Sequence, residues 1–374
     1  MRRLLFLTCA IVLVDTVFYA VLVPLVPYYS GEFGLSKTMV GVLNGSFGVG
    51  VLVGSAPAGY LAARIGVKPT ALYGLALLAI TSLAFGFAGK AWLLVLLRFG
   101  EGFGSALSWV AAFTWIVAWA PEERRGQMIG TLISAAVVGA LIGPALGGAA
   151  EYVGVILVFA AVAVLGSLVA AWTVLTPAPA PEGTPPDLRA LGAVLRPRLA
   201  SGIWLIALSP LLFSILAVLS PLQFDRLGWG PAAIGAVFLV GAAVEAAVHP
   251  LIGRWSDRSG YRPPVFTGVA ASIFLLCALP WTGGVWPLAL LVVLAAAFFN
   301  FSLTPGTALF TSGAEKAGIG QALGFGLTNF AWASGYAVGA PLGGILADLR
   351  GDVFSYVSLA VVCLLTLVAL WRAI

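Results

Sequence analysis

Gly130–Gly148, GTLISAAVVGALIGPALGG, is the stretch from which the rest of the chain is read. Its glycines are regularly spaced. On an apolar helix Gly139, Gly143 and Gly147 share one face four residues apart, so a neighbouring backbone can approach closely, as small-xxx-small seams do in membranes. Pro144 has no amide hydrogen, so the carbonyl of Ala140 loses its helical partner and a bend is predicted there. Gly130 and Gly148 extend the pattern at either end.

The composition around this stretch belongs to a chain in lipid. Of 374 residues, 61% are hydrophobic and 9% charged, where a soluble protein carries about 25% charged residues. The net charge of +5 does not point to nucleic acid, because the basic residues stand singly between apolar runs. Cys9, Cys277 and Cys363 lie within apolar runs, have no metal or disulfide spacing, and read as buried small hydrophobes. A single histidine, with no clustered nucleophile or metal ligands, argues against an enzyme. No P-loop or metal cluster is present, and no cofactor is expected. Met1-Arg2-Arg3 before LLFLTCAIVLV imitates a signal peptide, but Asp15 interrupts the run, so it reads as a retained first span.

A hydrocarbon core about 30 Å thick needs roughly 20 apolar residues per helix. Breaks at charges, Gly and Pro predict twelve spans near 4–28, 39–63, 70–89, 91–119, 128–150, 152–175, 200–223, 231–253, 265–284, 286–309, 321–346 and 353–372. The Pro-rich stretch PAPAPEGTPPDLR lies in a predicted linker, 176–199, between a six-helix bundle at 1–175 and another at 200–374. With the N-terminus cytoplasmic, fourteen Lys and Arg fall on inner segments and four (Lys37, Lys90, Arg226 and Arg350) on outer ones. That bias predicts both termini and the linker to be cytoplasmic, in a multi-pass protein of the cell inner membrane.

The two halves repeat. Gly130, Gly139, Gly143, Gly147 and Gly148 recur 196 residues later as Gly326, Gly335, Gly339, Gly343 and Gly344, while Pro144 slips one place to Pro341. GYLAARIGVKP from Gly59 likewise matches GRWSDRSGYRP from Gly253. Internal duplication of this kind is common in secondary transporters.

These motifs carry a family resemblance. Gly130–Gly148 resembles the fifth-helix signature of the drug:proton antiporters of the major facilitator superfamily. Gly59, Arg64, Gly66 and Lys68 fit that superfamily's G-x-x-x-D-R-x-G-R-R/K loop, with Ala63 in place of its Asp and Val67 in place of a basic residue. The second copy is fuller, with Gly253, Asp257, Arg258, Gly260 and Arg262. The resemblance implies a cytoplasmic gate of charge-assisted bonds. Without the acid, the first copy reads as a topogenic basic loop. Arg98, Gly102, Gly104 and Ala106 resemble the fourth-helix motif, and Pro24 and Pro27 give the P-x-x-P of drug antiporters. The first span is also similar to that of vesicular monoamine transporters, but Ser220, Asn300 and Asn329 occupy positions that are acidic there. The resemblance implies an all-α major facilitator fold of twelve transmembrane helices in two pseudo-symmetric bundles, and a monomer.

Four charged side chains lie inside the predicted spans. A charge at the bilayer centre costs about 2.5–3.5 kcal/mol on insertion scales, so it marks a path or a partner. Asp15 stands about 17 Å along its helix from Leu4, at about 1.5 Å per residue, with Phe18, Tyr19 and Leu22 on its face. A carboxylate beside aromatic rings suits a lipophilic cation. An ion pair with Arg98 is the alternative. Glu101, three residues after Arg98, reads either as its structural partner or as a proton site tuned by it. Glu245 is the single in-span acid of the second half. It reads as a second proton site or an interhelical bond, and His249 as a cap before Pro250. Asn44, Asn300, Asn329, Trp332 and Tyr336 are further candidates to line the cavity.

The expectation is a secondary active transporter, most simply a proton-coupled antiporter that exports small amphipathic or cationic compounds by alternating access. An exporter of a sugar, amino acid or other metabolite, or a lipid flippase, is the alternative on the same fold. A membrane receptor or enzyme is the remote one. The predicted partners are a small-molecule substrate, protons and the lipid bilayer.

Overall fold

The computed structural model describes residues 2–121, 124–178, 194, 196–317, 319 and 321–373. Most of the predicted 176–199 linker, with Arg189, lies outside them. Twelve helical stretches are long and apolar enough to cross a membrane, and the described residues contain no strand.

In the first half these are α1 (Arg2–Ala20) with α2 (Val26–Phe33), α3 (Lys37–Arg64), α4 (Val67–Gly86), α5 (Ala91–Trp119), α6 (Arg125–Val153) and α7 (Val155–Val174). In the second they are α8 (Pro197–Arg226), α9 (Pro231–Ser259), α10 (Arg262–Ala278), α11 (Val285–Phe299) with α12 (Leu303–Lys316), α13 (Gln321–Arg350) and α14 (Asp352–Ala373). All twelve predicted spans are present, but two are broken. The first changes to a short 3-10 turn at Val23–Leu25 before α2. Pro24 and Pro27 remove the amides that the carbonyls of Ala20 and Val23 would need, so the ladder cannot run on. The tenth breaks between Phe299 and Leu303, and Pro305 leaves the Phe301 carbonyl without a helical partner. By contrast α6 continues through Pro144, α13 through Pro341 and α9 through Pro250. His249 is therefore inside α9 rather than at a helix end, which corrects its reading as a cap. The cysteines also differ from expectation, since Cys363 alone is buried and Cys277 is exposed.

By packing, the chain groups into two units. One comprises Met1–Tyr28, Ser46–Pro185 and Pro231–Leu239; the other comprises Tyr29–Gly45, Pro186–Gly230 and Val240–Ile374. Each is organised around a small-residue seam. In the first unit α6 lies against α1. A Cβ added at Gly139 would collide with the Leu13 carbonyl oxygen, one at Gly143 would come 2.5 Å from the Ala20 side chain, and one at Gly147 would collide with the Val21 carbonyl oxygen. In the second unit α13 lies against α8 in the same way: Gly335 meets Ala207, Gly339 meets Leu211 and Ser214, and Gly343 meets Ile215. Gly130 and Gly326 have nothing within 4 Å, so the outermost glycines of the motif take no part in either seam.

The seams end in matching caps. Gly148 abuts Pro231 and Ala232 at the start of α9, where the Ala232 amide donates to Glu151 Oε2 at 2.8 Å. Gly344 abuts Lys37 and Thr38 at the start of α3, and the amides of those two residues donate to Asp348 at 3.2 and 2.8 Å. A carboxylate at a helix start meets unpaired amides and the positive end of the helix dipole. Lys37 and Arg226 also hold Asp352, at 2.5 and 2.6 Å. The sharp turns repeat as well. Gly66 and Gly260, at φ +97° and +79°, stand between α3 and α4 and between α9 and α10, in a backbone region that L side chains avoid.

Gly147→Leu and Gly343→Leu will each lose folded protein, because a side chain there must displace backbone. Overpacking of this kind costs about 1–3 kcal/mol or more. Gly130→Ala and Gly326→Ala will keep the wild-type melting profile. Size-exclusion profiles after graded heating separate the two sets, and equal tolerance at all four positions would refute the seam.

Candidate functional site

Three of the four in-span charges gather where α5 crosses α1, on either side of the break in the first span. Arg98 is 1% exposed. Its Nη1 donates to the Phe18 carbonyl at 3.0 Å and to Glu101 Oε2 at 2.7 Å, and its Nη2 donates to the Tyr19 carbonyl at 2.7 Å. Those carbonyls belong to the last turn of α1, which ends at Ala20 and cannot supply amides four residues on. The guanidinium fork therefore caps a helix end in mid-span. Its Cζ also lies 4.7 Å from the centre of the Phe47 ring, a cation–π contact that partly offsets its removal from water. Nε of Arg98 and Oε1 of Glu101 have no hydrogen-bond partner among the described residues.

Asp15 does not pair with Arg98. It is 3% exposed, and each carboxylate oxygen accepts from a serine on α5: Oδ2 from Ser105 at 2.9 Å and Oδ1 from Ser108 at 2.7 Å. The serines lie three residues apart and so share a helix face. Ser108 Oγ is also 3.1 Å from the Ser105 carbonyl. Its proton thus has a second acceptor, and the hydroxyl can turn away when the carboxyl gains a proton of its own. Nothing in the sequence reading singled out these serines. Their signal was the three-residue spacing one to two turns beyond Glu101.

The other candidates fall in several places. Phe18 is buried. Tyr19 contacts Phe47 with ring centroids 5.2 Å apart. Asn44 is buried; its Nδ2 donates to the Val40 carbonyl at 3.0 Å, while its Oδ1 has no partner among the described residues. In the second unit Glu245 lies beside the side chain of Asn300 and 3.6 Å from His249 Nε2. Trp332 stacks on Tyr336 at 5.4 Å, and Tyr336 is buried, so this pair packs within the bundle with Asn329 one turn before it. The loop residues are dispersed. Arg64 Nη1 donates to the Tyr60 hydroxyl, and Lys68 Nζ donates to the Val174 carbonyl at 2.7 Å. Gly59 has open space around it. Asp257, Arg258 and Arg262 are exposed, and no ion pair joins them among the described residues.

A twelve-span helical chain with buried charges at a broken first helix has the build of a membrane transporter. The family model described as Major Facilitator Superfamily matches residues 7–325 and 207–374, and the chain belongs to that superfamily, one of transporters and not enzymes. It is 31% identical over 158 residues to the MFS-type transporter ppzB of Metarhizium rileyi, covering 40% of this chain and 32% of that protein. It is 33% identical over 164 residues to a multi-drug resistance efflux pump PmrA homolog of Lactococcus lactis, covering 42% and 39%. The chain thus spans about a third of the length of these curated relatives. Among solved structures, a bacterial homolog of the human lysosomal transporter Spinster, inward-facing and occupied, superimposes with a TM-score of 0.81 at 18% identity over 99% of this chain and 96% of that one. That likeness bears on the fold.

Arg98→Ala will destabilise the protein more than Glu101→Gln. It uncaps α1 and leaves a buried carboxylate alone, a loss of about 3–5 kcal/mol for breaking such a pair. Unfolding midpoints of the variants in lipid nanodiscs provide the check. Equal shifts would mean that the carbonyls of Phe18 and Tyr19 do not need the arginine.

Proposed function

We propose that the chain is a secondary transporter that works by alternating access and exchanges protons for small amphipathic or cationic compounds. The observation that carries this reading is Asp15, a carboxylate in mid-span held by two serine hydroxyls beside a buried Arg98–Glu101 pair. A carboxylate so enclosed can take up or release a proton with little rearrangement, since Ser108 has a second acceptor. In the proposed cycle Asp15 loses its proton toward one side when cargo is bound, and regains one from the other side after cargo leaves. Arg98 and Glu101 hold the broken end of α1, so a change at Asp15 is passed to the helix that carries it. Similarity to an efflux pump homolog supports export as the direction.

Under this reading 1–175 and 200–374 are the two six-helix halves that rock about a midplane cavity. The protein works as a monomer in the cell inner membrane. Both termini are cytoplasmic, as the excess of Lys and Arg on one set of loops supports. Asp257, Arg258 and Arg262 then lie at the cytoplasmic face, free to form a gate in another state of the cycle.

The test is flux in liposomes that hold a pH-sensitive dye. Adding lipophilic amines to wild-type protein will move protons, neutral sugars will not, and Asp15→Asn will abolish the coupled signal while the protein still folds. Intact coupling in Asp15→Asn would remove Asp15 from the mechanism. Absence of proton movement with every compound would remove antiport.

A further inference from the structure

The three in-span carboxylates are not equivalent. Asp15 and Glu101 are sealed, at 3% and 1% exposure, and both oxygens of Asp15 are already occupied. The side chain of Glu245 is 25% exposed. A carboxylate within a membrane span does not turn that much of itself to hydrocarbon; it turns it to a water-filled cavity or a partner. Glu245 is also undersupplied with donors. Two carboxylate oxygens offer about four acceptor sites. The structure gives them the Asn300 side chain and, at 3.6 Å, His249 Nε2, which is too far for a hydrogen bond. That imidazole nitrogen is itself buried and has no hydrogen-bond partner among the described residues.

The setting is a break in a helix. Asn300 follows the last residue of α11, at the interruption of the tenth span, and its amide also donates to the Ala296 carbonyl at 3.1 Å. α9 is held close to this point, since a Cβ at Gly241 would lie 3.1 Å from the Ala296 side chain. Interrupted helices are where membrane transporters place polar groups toward a ligand, because irregular backbone is tolerated at depth only beside protein or water. The charged groups nearest Glu245 along α9 and α12 are Arg254, Glu315 and Lys316, two or more turns away in sequence, and α11 carries none. Among the described residues no Lys or Arg forms an ion pair with Glu245 as Arg98 does with Glu101.

We infer that Glu245, with Asn300 and His249, is the site that holds the charged end of a cationic cargo, an ammonium group on an apolar body. Asp15 stays enclosed and does not touch the cargo. This rests on the transporter reading above and assigns its binding contact to the second half of the chain. The ammonium donates to the free lone pairs of Glu245. Asn300 stands beside the carboxylate at the helix break, and the unpartnered Nε2 of His249 lies one turn along.

The experiment is equilibrium binding to the full chain in lipid nanodiscs, read by the fluorescence of dansylcadaverine, a primary amine on an apolar fluorophore. Its N-acetyl derivative has the same body and no charge. Glu245→Gln is expected to weaken dansylcadaverine about tenfold or more, the loss of a charge-assisted contact. It should change the N-acetyl compound less than twofold. Glu245→Asp should recover part of the affinity, and Asn300→Ala should weaken the amine several-fold, which keeps the test open if one variant misfolds. Equal weakening of both compounds, unchanged amine affinity in Glu245→Gln, or no saturable amine binding by the wild type would overturn the inference. Amine binding that depends on Glu245 without proton movement in liposomes would instead count against antiport and leave this site standing.

Discussion

Arg98 is the side chain on which the first half depends. In a medium without water, every backbone carbonyl freed by a helix break must find a donor inside the protein. The break after Ala20 frees carbonyls at Phe18 and Tyr19, and the guanidinium supplies both while it also meets Glu101. Pro24 makes the break and Arg98 makes it tolerable. Because both terminal nitrogens of the arginine are engaged there, Asp15 is left to neutral donors, and Ser105 and Ser108 supply them. The two buried carboxylates therefore differ in their partners, an arginine for Glu101 and two hydroxyls for Asp15.

The repeat shows which parts of this arrangement are architectural. Leu13 and Ala207 occupy matching places under Gly139 and Gly335, 194 residues apart. The same offset carries Asp15 to Ser209, and Ser209 is bonded to Ser302 at 2.9 Å, near where Ser105 falls in the first half. The contact between the first and fourth helices of each half is therefore polar in both, but charged in one alone. Arg98 and Glu101 have Ala295 and Phe298 near their matching places in α11, so the broken tenth span has no cation to cap it. The second half carries its acid on α9 instead, next to that uncapped break.

Much of the fold was legible because lipid imposes few solutions. Span length, the glycine spacing of Gly139, Gly143 and Gly147, and its copy at Gly335, Gly339 and Gly343 follow from helix geometry and close approach. The partner of Asp15 was not legible. Arg98 and Ser105 are both on α5, and a sequence read one helix at a time cannot say which of them a midplane carboxylate will meet. The two breaks were not legible: Pro24 and Pro27 stood out only as a family motif, and Pro144, where a bend was predicted, sits like Pro250 and Pro341 in a helix that runs on. A proline removes one hydrogen bond. Whether the helix yields depends on what stands ready to accept the consequences, and that is tertiary. Exposure was the least legible of all, because Asp15 and Glu245 are each a lone acid in an apolar run.

Under the proposed reading, that last difference bears on how one chain could keep proton and cargo from competing at a single group. If one carboxylate served both, a cationic cargo and a proton would exclude each other by direct contact, and any small cation that reached the site would discharge the gradient. Two carboxylates in different halves separate the tasks. The sealed one, Asp15, is 3% exposed and has both oxygens engaged by serine hydroxyls, which suits it to the proton. The more open one, Glu245, is the proposed cargo contact, and recognition there would rest on one charge at a helix break. On the proposed reading, coupling between the two is mechanical, carried along packed helices. The matched caps at Glu151 and Asp348 are suited to that role, because each ties the end of a glycine seam to the start of another helix. On the proposed reading, a shift in α1 would pass along the glycine seam to α6, whose Glu151 holds the start of α9, the helix that carries Glu245.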